Sequence, residues 1–280
     1  MVLDPSIADY YQRAPEESRL EHGAFRLESA RTRELIQRHA PPPPGVVLDI
    51  GGAAGVYALW LAQAGYQVHL VDPVARLVHE AARRSRESPR PLASWRVGDA
   101  RAIDWPDHTA DLVLLLGPLY HLTERSGRLQ ALREAGRVLK PGGRVLAAAI
   151  SRAASALDGL SRGLFADPRF GAIVARDLSD GQHRNPTERL DFFTTAYFHR
   201  PDEFARELVD AGLLLLGVYG VEGPAWLLPD IAERMEDEAQ RAEVLHVARL
   251  LESESAVLGI SAHLLAVGET HGPVAGPTSA

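Results

Sequence analysis

Residues 46–72 read VVLDIGGAAGVYALWLAQAGYQVHLVD. Val46 to Ile50 is a short apolar run of strand length, rich in β-branched residues. It runs into Gly51, Gly52, Ala53, Ala54 and Gly55, small residues that let a backbone turn sharply and approach a ligand. Val56 to Ala64 has the length and apolar content of a helix, and Gly65 stops it. A second strand, Gln67 to Val71, ends on the carboxylate of Asp72. Strand, glycine turn, helix, strand and carboxylate together predict a βαβ unit that holds the ribose of a nucleoside-like cofactor.

The spacing discriminates among such cofactors. A dinucleotide site needs G-x-G-x-x-G, but counted from Gly51 the third and sixth positions are Ala53 and Val56. A G-x-x-x-x-G-K-[ST] phosphate loop is absent, because the only lysine, Lys140, lies far downstream. The stretch resembles the first motif of class I S-adenosylmethionine (SAM)-dependent methyltransferases, hydrophobic-hydrophobic-Asp-x-Gly-x-Gly-x-Gly. Asp49, Gly51 and Gly55 match it, and Ala53 stands in place of the middle glycine. Two later stretches strengthen the resemblance. Gly98-Asp99-Ala100, after a predicted strand Ala93–Val97, matches the family's acidic position beside the adenine. LQALREAGRVLKPGG, Leu129 to Gly143, resembles the L-x-E-x-x-R-V-L-K-P-G-G signature. The resemblance covers roughly residues 45–150.

Membership of that family implies an α/β, Rossmann-like sheet of seven mostly parallel strands, in the order 3-2-1-4-5-7-6 with the last strand antiparallel. Residues 1–44 then form a helical lid that ends at four prolines, Pro41 to Pro44. Residues 45–268 are the methyltransferase domain, with cap insertions at about 151–200 and 222–253, and residues 269–280 are a flexible tail. SAM is the implied cofactor and S-adenosylhomocysteine (SAH) the product. The implied cofactor contacts are Asp49, Gly51, Gly52, Ala53, Gly55, Asp72, Pro73, Asp99, Ala100 and Gly117, with Tyr11 reaching over from the lid.

Methyl transfer is an in-line displacement at a sulfonium carbon, so a protein chiefly aligns the nucleophile and shields the site. For an alcohol, phenol or acidic carbon a general base helps, and histidine suits neutral pH. Tyr120 and His121 follow the fourth predicted strand, where this fold faces the acceptor, and are the candidate catalytic residues. His183, Tyr197, His199 and Trp226, in the two insertions, are the candidate substrate residues. No metal is expected: Asp111 begins the fourth strand at its wrong end, and Gly117-Pro118 occupies the place where ligands would stand.

A formal charge of -7 without a basic run argues against nucleic acid as the main partner. Cysteine is absent, which excludes disulfides and thiolate chemistry and fits a cytoplasmic setting. No secretory signal and no apolar run of roughly 20 residues argue for neither export nor a membrane span. The expected activity is methyl transfer to an O-, N- or C-nucleophile of a small molecule, in natural-product biosynthesis. A homo-oligomer is left open. The alternatives are a protein of the same fold that binds SAM without transferring its methyl, and a nucleotide-dependent oxidoreductase.

Overall fold

The computed structural model of the chain describes residues 4–14, 19–187 and 189–272. Within it the expected unit forms with nearly the predicted bounds: β1 is Val46–Ile50, and β2 is Gln67–Asp72. The strands that follow are β3 (Ser94–Val97), β4 (Ala110–Leu115), β5 (Leu139–Ser151), β6 (Gln182–His183), β7 (Ala196–His199), β8 (Leu214–Gly220) and β9 (His263–Glu269). The helices in chain order are α1 (Pro5–Arg13), α2 (Phe25–His39), α3 (Val56–Gln63), α4 (Ala75–Glu87), α5 (Pro118–His121), α6 (Arg125–Val138), α7 (Ala154–Arg162), α8 (Pro168–Asp180), α9 (Pro201–Asp210), α10 (Ile231–Arg234) and α11 (Glu238–Leu251).

Strands β3, β2, β1, β4 and β5 lie side by side and parallel. Strand β9 pairs antiparallel with both β5 and β8. With β8 and β9 counted as sixth and seventh, this is the predicted order 3-2-1-4-5-7-6. The sheet nevertheless has nine strands. The extra two come from the first insertion: β7 runs parallel to the end of β5, and β6 folds back on β7.

Helices cover both faces, so the central strands read as continuous apolar runs. Leu35 and Ile36 of α2, Ala58 and Leu61 of α3 and Val78 and Ala81 of α4 pack on one face with Val47, Leu112 and Leu114. Ala131, Leu132 and Ala135 of α6 and Phe204 and Leu208 of α9 pack on the other with Leu48, Val113 and Ala147. Most cofactor candidates then fall at the carboxyl edge of the parallel strands, where α/β sheets take ligands.

Three details depart from expectation. The alternation of Ala256 to Val267 predicts the last strand there, but it begins at His263, because residues 258–260 form a 3-10 turn. The polar and aromatic stretch after α8, whose sequence reads as a loop, carries β6, β7 and another such turn, Leu190–Phe192. The second insertion does not roof the cleft described below. Ala225, Ile231, Met235 and Val244 instead pack around Leu27 of α2, to one side of the sheet. The predicted tail lies outside the described residues from position 273 onward.

Candidate active site

A cleft of about 370 Å³ opens at the carboxyl edge of the sheet. Asp49, Gly51, Gly52, Ala53, Asp72, Pro73, Asp99, Ala100, Gly117 and Tyr11 all line it, as do Tyr120 and His121. These residues come from the ends of β1, β2 and β3, the turn after β4 with α5, and the helix α1. Gly55 does not line it. It adopts φ +82 as the residue before α3, and an added Cβ would lie 3.4 Å from Ala81 and from Leu70. Its part is to seat the helix on the strand, which corrects the expected cofactor contact.

The glycine turn is shaped by close approach. A Cβ on Gly51 would lie 2.6 Å from the Pro118 ring, and one on Gly52 would lie 2.7 Å from Asp49 Oδ2. Ala53 adopts φ +47, the left-handed region that favours glycine. Its N–H donates to Asp72 Oδ2 at 2.9 Å, while Val74 N–H donates to Asp72 Oδ1 at 2.8 Å. The Asp72 carboxylate is therefore fixed at the mouth of the turn. Asp99 is gripped by Arg101, which donates to both oxygens at 2.9 and 2.6 Å. Burial alone would raise the Asp99 carboxyl, but these bonds hold it below the usual range.

Asp49 is 2% exposed, and its Oδ2 has no hydrogen-bond partner among the described residues. Burial, helped by the nearby Asp72, pushes its carboxyl up to about 7. An orphaned buried carboxylate beside a glycine turn is a place for a ligand that carries positive charge. SAM brings two such groups, a sulfonium and an α-ammonium, so the residues present fit it.

At the acceptor side, α1 closes over the cleft. Asp4 caps this helix by accepting from Ser6 N–H at 2.9 Å. Ser6 Oγ donates to Thr195 Oγ1 at 2.7 Å, and Arg76 holds the Tyr11 carbonyl at 2.6 Å. The Tyr11 hydroxyl lies 2.7 Å from His121 Nε2, and His121 Nδ1 lies 3.1 Å from the Thr195 carbonyl. A carbonyl only accepts, so Nδ1 carries the proton, and Nε2 accepts from Tyr11. Burial pushes His121 down to about 4, which keeps it neutral at pH 7.

The four substrate candidates do not reach this cleft, and each has a local reason. Buried His183 lies 2.9 Å from Asp177 Oδ2 and 2.8 Å from the Phe192 carbonyl, so both ring nitrogens are engaged within the first insertion. His199 is fully buried and lies 3.3 Å from Glu207 Oε2. The ring of Tyr197 lies 3.7 Å under the Arg128 guanidinium, on the wall of a separate cleft of about 520 Å³. Trp226 Nε1 donates to the Ile260 carbonyl at 2.9 Å. The first insertion bears on the site from behind, through Thr195.

One group escapes the sequence motifs altogether. Arg19, Glu28 and His263 also line the cleft, and Glu222 stands behind His263. Donor atoms of Glu28, Glu222 and His263 lie within 4.8 Å of one another, a spacing that could hold a metal ion. Both Glu28 oxygens, however, already accept from Arg19, at 2.6 and 3.1 Å. Nothing local flags the set. Residues 28, 222 and 263 meet only because the antiparallel β9 places His263 opposite Ile150, at the carboxyl edge of β5.

Residues 47–143 match the model of a methyltransferase domain family. Over those residues the chain is similar to a methyltransferase domain, and the cleft that they build fits SAM. Among curated proteins, the ubiquinone/menaquinone biosynthesis C-methyltransferase UbiE of Caulobacter vibrioides is 32% identical over 168 residues, spanning 54% of this chain and 64% of that protein. The chain thus spans just under two thirds of the length of this relative. Among solved structures, a SAM-dependent methyltransferase of Methanosarcina mazei superposes with a TM-score of 0.58 at 16% identity, covering 85% of this chain and 97% of the other. Phosphoethanolamine N-methyltransferase 2 of Haemonchus contortus, in complex with phosphomonomethylethanolamine and SAH, superposes with a TM-score of 0.59 at 16% identity, covering 96% of this chain and 61% of that one. No helix among the described residues is long and apolar enough to cross a membrane.

Proposed function

We propose that this protein transfers the methyl group of SAM to a small molecule that carries an ionisable nucleophile. The supporting observation is the convergence of Asp49, Asp72, Asp99 and the glycine turn with the Tyr11–His121 pair in one cleft. In this reading Asp72 accepts from the ribose hydroxyls, and Asp99 accepts from the adenine amine. Asp49 faces the cationic methionine end.

The acceptor enters beside Tyr11, Tyr120 and His121. An acidic O–H of the acceptor donates to the Tyr11 oxygen, the Tyr11 proton passes to His121 Nε2, and the acceptor becomes the nucleophile. The neutral state of His121 and its Nδ1–H bond to Thr195 keep the Nε2 lone pair available for this relay. Apolar walls from Ile7, Leu20, Val221 and Leu265 exclude water and suit an apolar acceptor. The name of the curated relative speaks for an aromatic acceptor of the quinol kind and for carbon as the methylated atom. The natural-product setting expected from the sequence gains no support of its own.

The test is incubation with methyl-labelled SAM and a panel of hydroquinones and phenols. Labelled product together with equimolar SAH supports the reading. SAM binding with neither product, across the panel and after His121 substitution alike, would favour a binding protein of the same fold.

A further inference from the structure

Glu222 is 3% exposed and is fixed by three donors. It accepts from Ser261 Oγ at 2.8 Å, from His263 N–H at 3.0 Å and from His263 Nδ1 at 2.6 Å. Ser261 Oγ in turn receives the N–H groups of Glu222 and Gly223 at 3.0 and 3.2 Å. These fixed donors hold the carboxylate in place, and its bond to Nδ1 sets the plane of the imidazole. Nε2, on the other side of the ring, has no hydrogen-bond partner among the described residues, and His263 lines the cleft. Beyond it, the Oε2 atom of Glu28 lies 4.0 Å from Nδ1, and Arg19 neutralises Glu28 through a bidentate pair. Arg19, Glu28, His263 and Glu222 therefore alternate in charge, and within the set Nε2 of His263 is the nitrogen left open.

We propose that His263, oriented by Glu222, holds an anionic oxygen of the methyl acceptor, so that the cleft selects phenolates, enolates or carboxylates over neutral amines. This rests on the methyl-transfer reading and adds the acceptor's charge to it. Burial alone would discharge the ring, but Glu28 and Glu222 outweigh it and hold His263 up at about 9. The ring is therefore an imidazolium at neutral pH, and a charge-assisted bond to an oxyanion is stronger than one to a neutral oxygen. The cofactor's own carboxylate has other donors. The first turn of α3, which follows the glycine turn, leaves backbone N–H groups without intrahelical acceptors. His263 lies on the β5 side of the sheet, away from Asp72 at the end of β2 and Asp99 just after β3.

The test uses the full-length protein saturated with SAH, with 4-hydroxybenzoate as the anionic probe and 4-hydroxybenzamide as its neutral counterpart. Calorimetry should show the benzoate binding about tenfold more tightly than the amide. His263→Gln should erase that preference while SAH affinity stays within about twofold. Equal binding of the two probes to the wild type, or an undiminished preference in His263→Gln, overturns the proposal. A loss in His263→Gln that falls on SAH instead of the benzoate also overturns it and assigns the imidazole to the cofactor. Failure of the wild type to bind SAH at all sinks the parent reading separately. A second measurement needs no variant: in nitrogen-15 spectra of the wild type, His263 Nε2 should shift with benzoate and not with the amide. No shift with either contradicts the assignment.

Discussion

The Tyr11 hydroxyl and His121 Nε2 lie 2.7 Å apart, across 110 residues of sequence, and join the helix over the cleft to α5, which follows β4. The bond serves two ends at once. It pins α1 over the cleft, and it sets a phenol against a neutral imidazole whose other nitrogen is tied to Thr195. Tyr11→Phe keeps the ring and removes the relay. Its turnover should fall by roughly a hundredfold, the usual worth of a positioned proton-transfer group, with SAH affinity little changed. Steady-state rates beside calorimetry separate the two effects. Unchanged turnover would remove the pair from the chemistry.

Asp72→Asn should weaken SAH binding by about 1–3 kcal/mol, because a charged acceptor for the ribose diol becomes a neutral one. The asparagine oxygen can still accept from one of the Ala53 and Val74 N–H groups, so the glycine turn should survive. Wild-type affinity in this variant would show that the ribose lies elsewhere.

Ala53 stands where the family pattern has glycine, and it holds a left-handed backbone at φ +47. A non-glycine residue there costs roughly 1–2 kcal/mol. Ala53→Gly relieves that strain but gains chain entropy in the unfolded state, so the net stabilisation should be at most about 1 kcal/mol. Chemical denaturation measures it. A clear loss of stability would mean the alanine methyl makes packing contacts that outweigh the strain.

Two histidines in the cleft bend the stability profile in opposite directions. His121, pushed down to about 4, stays neutral in the fold while the unfolded chain takes up a proton near its ordinary value of 6.5. Stability is therefore lost as pH falls from about 6.5 towards 4. His263, held up at about 9 by Glu28 and Glu222 and opposed by Arg19, keeps its proton in the fold. Its contribution is fully present below about 6.5 and is lost as pH rises through 9. Melting curves across this range should show His121→Gln flattening the acid limb and His263→Gln the alkaline limb. An alkaline limb that survives His263→Gln would contradict the charge assigned to that ring.

The part of the site that was legible in the sequence is the part made locally. Asp49, the glycine turn and Asp72 sit within one βαβ unit, and Asp99 and Gly117 each end a strand, so strand ends and spacing place them without knowledge of packing. The histidines of the first insertion misled for a physical reason. His183 and His199 occur in a polar, aromatic stretch that reads as a substrate cap, yet Asp177 and Glu207 draw both rings into the interior. His263 left no trace, because its partner Glu222 lies 41 residues away and its place at the cleft depends on antiparallel pairing with β5. Tertiary pairing of that kind has no sequence spacing to read.

Occupation by SAM of the cleft formed by Asp49, Asp72, Asp99 and the glycine turn underlies every role proposed above. Calorimetric titration of the full-length protein with SAH, alongside NAD and NADP, tests it. A single SAH site with no detectable binding of either dinucleotide is the predicted result. Absence of SAH binding, or tighter binding of a dinucleotide, would contradict it.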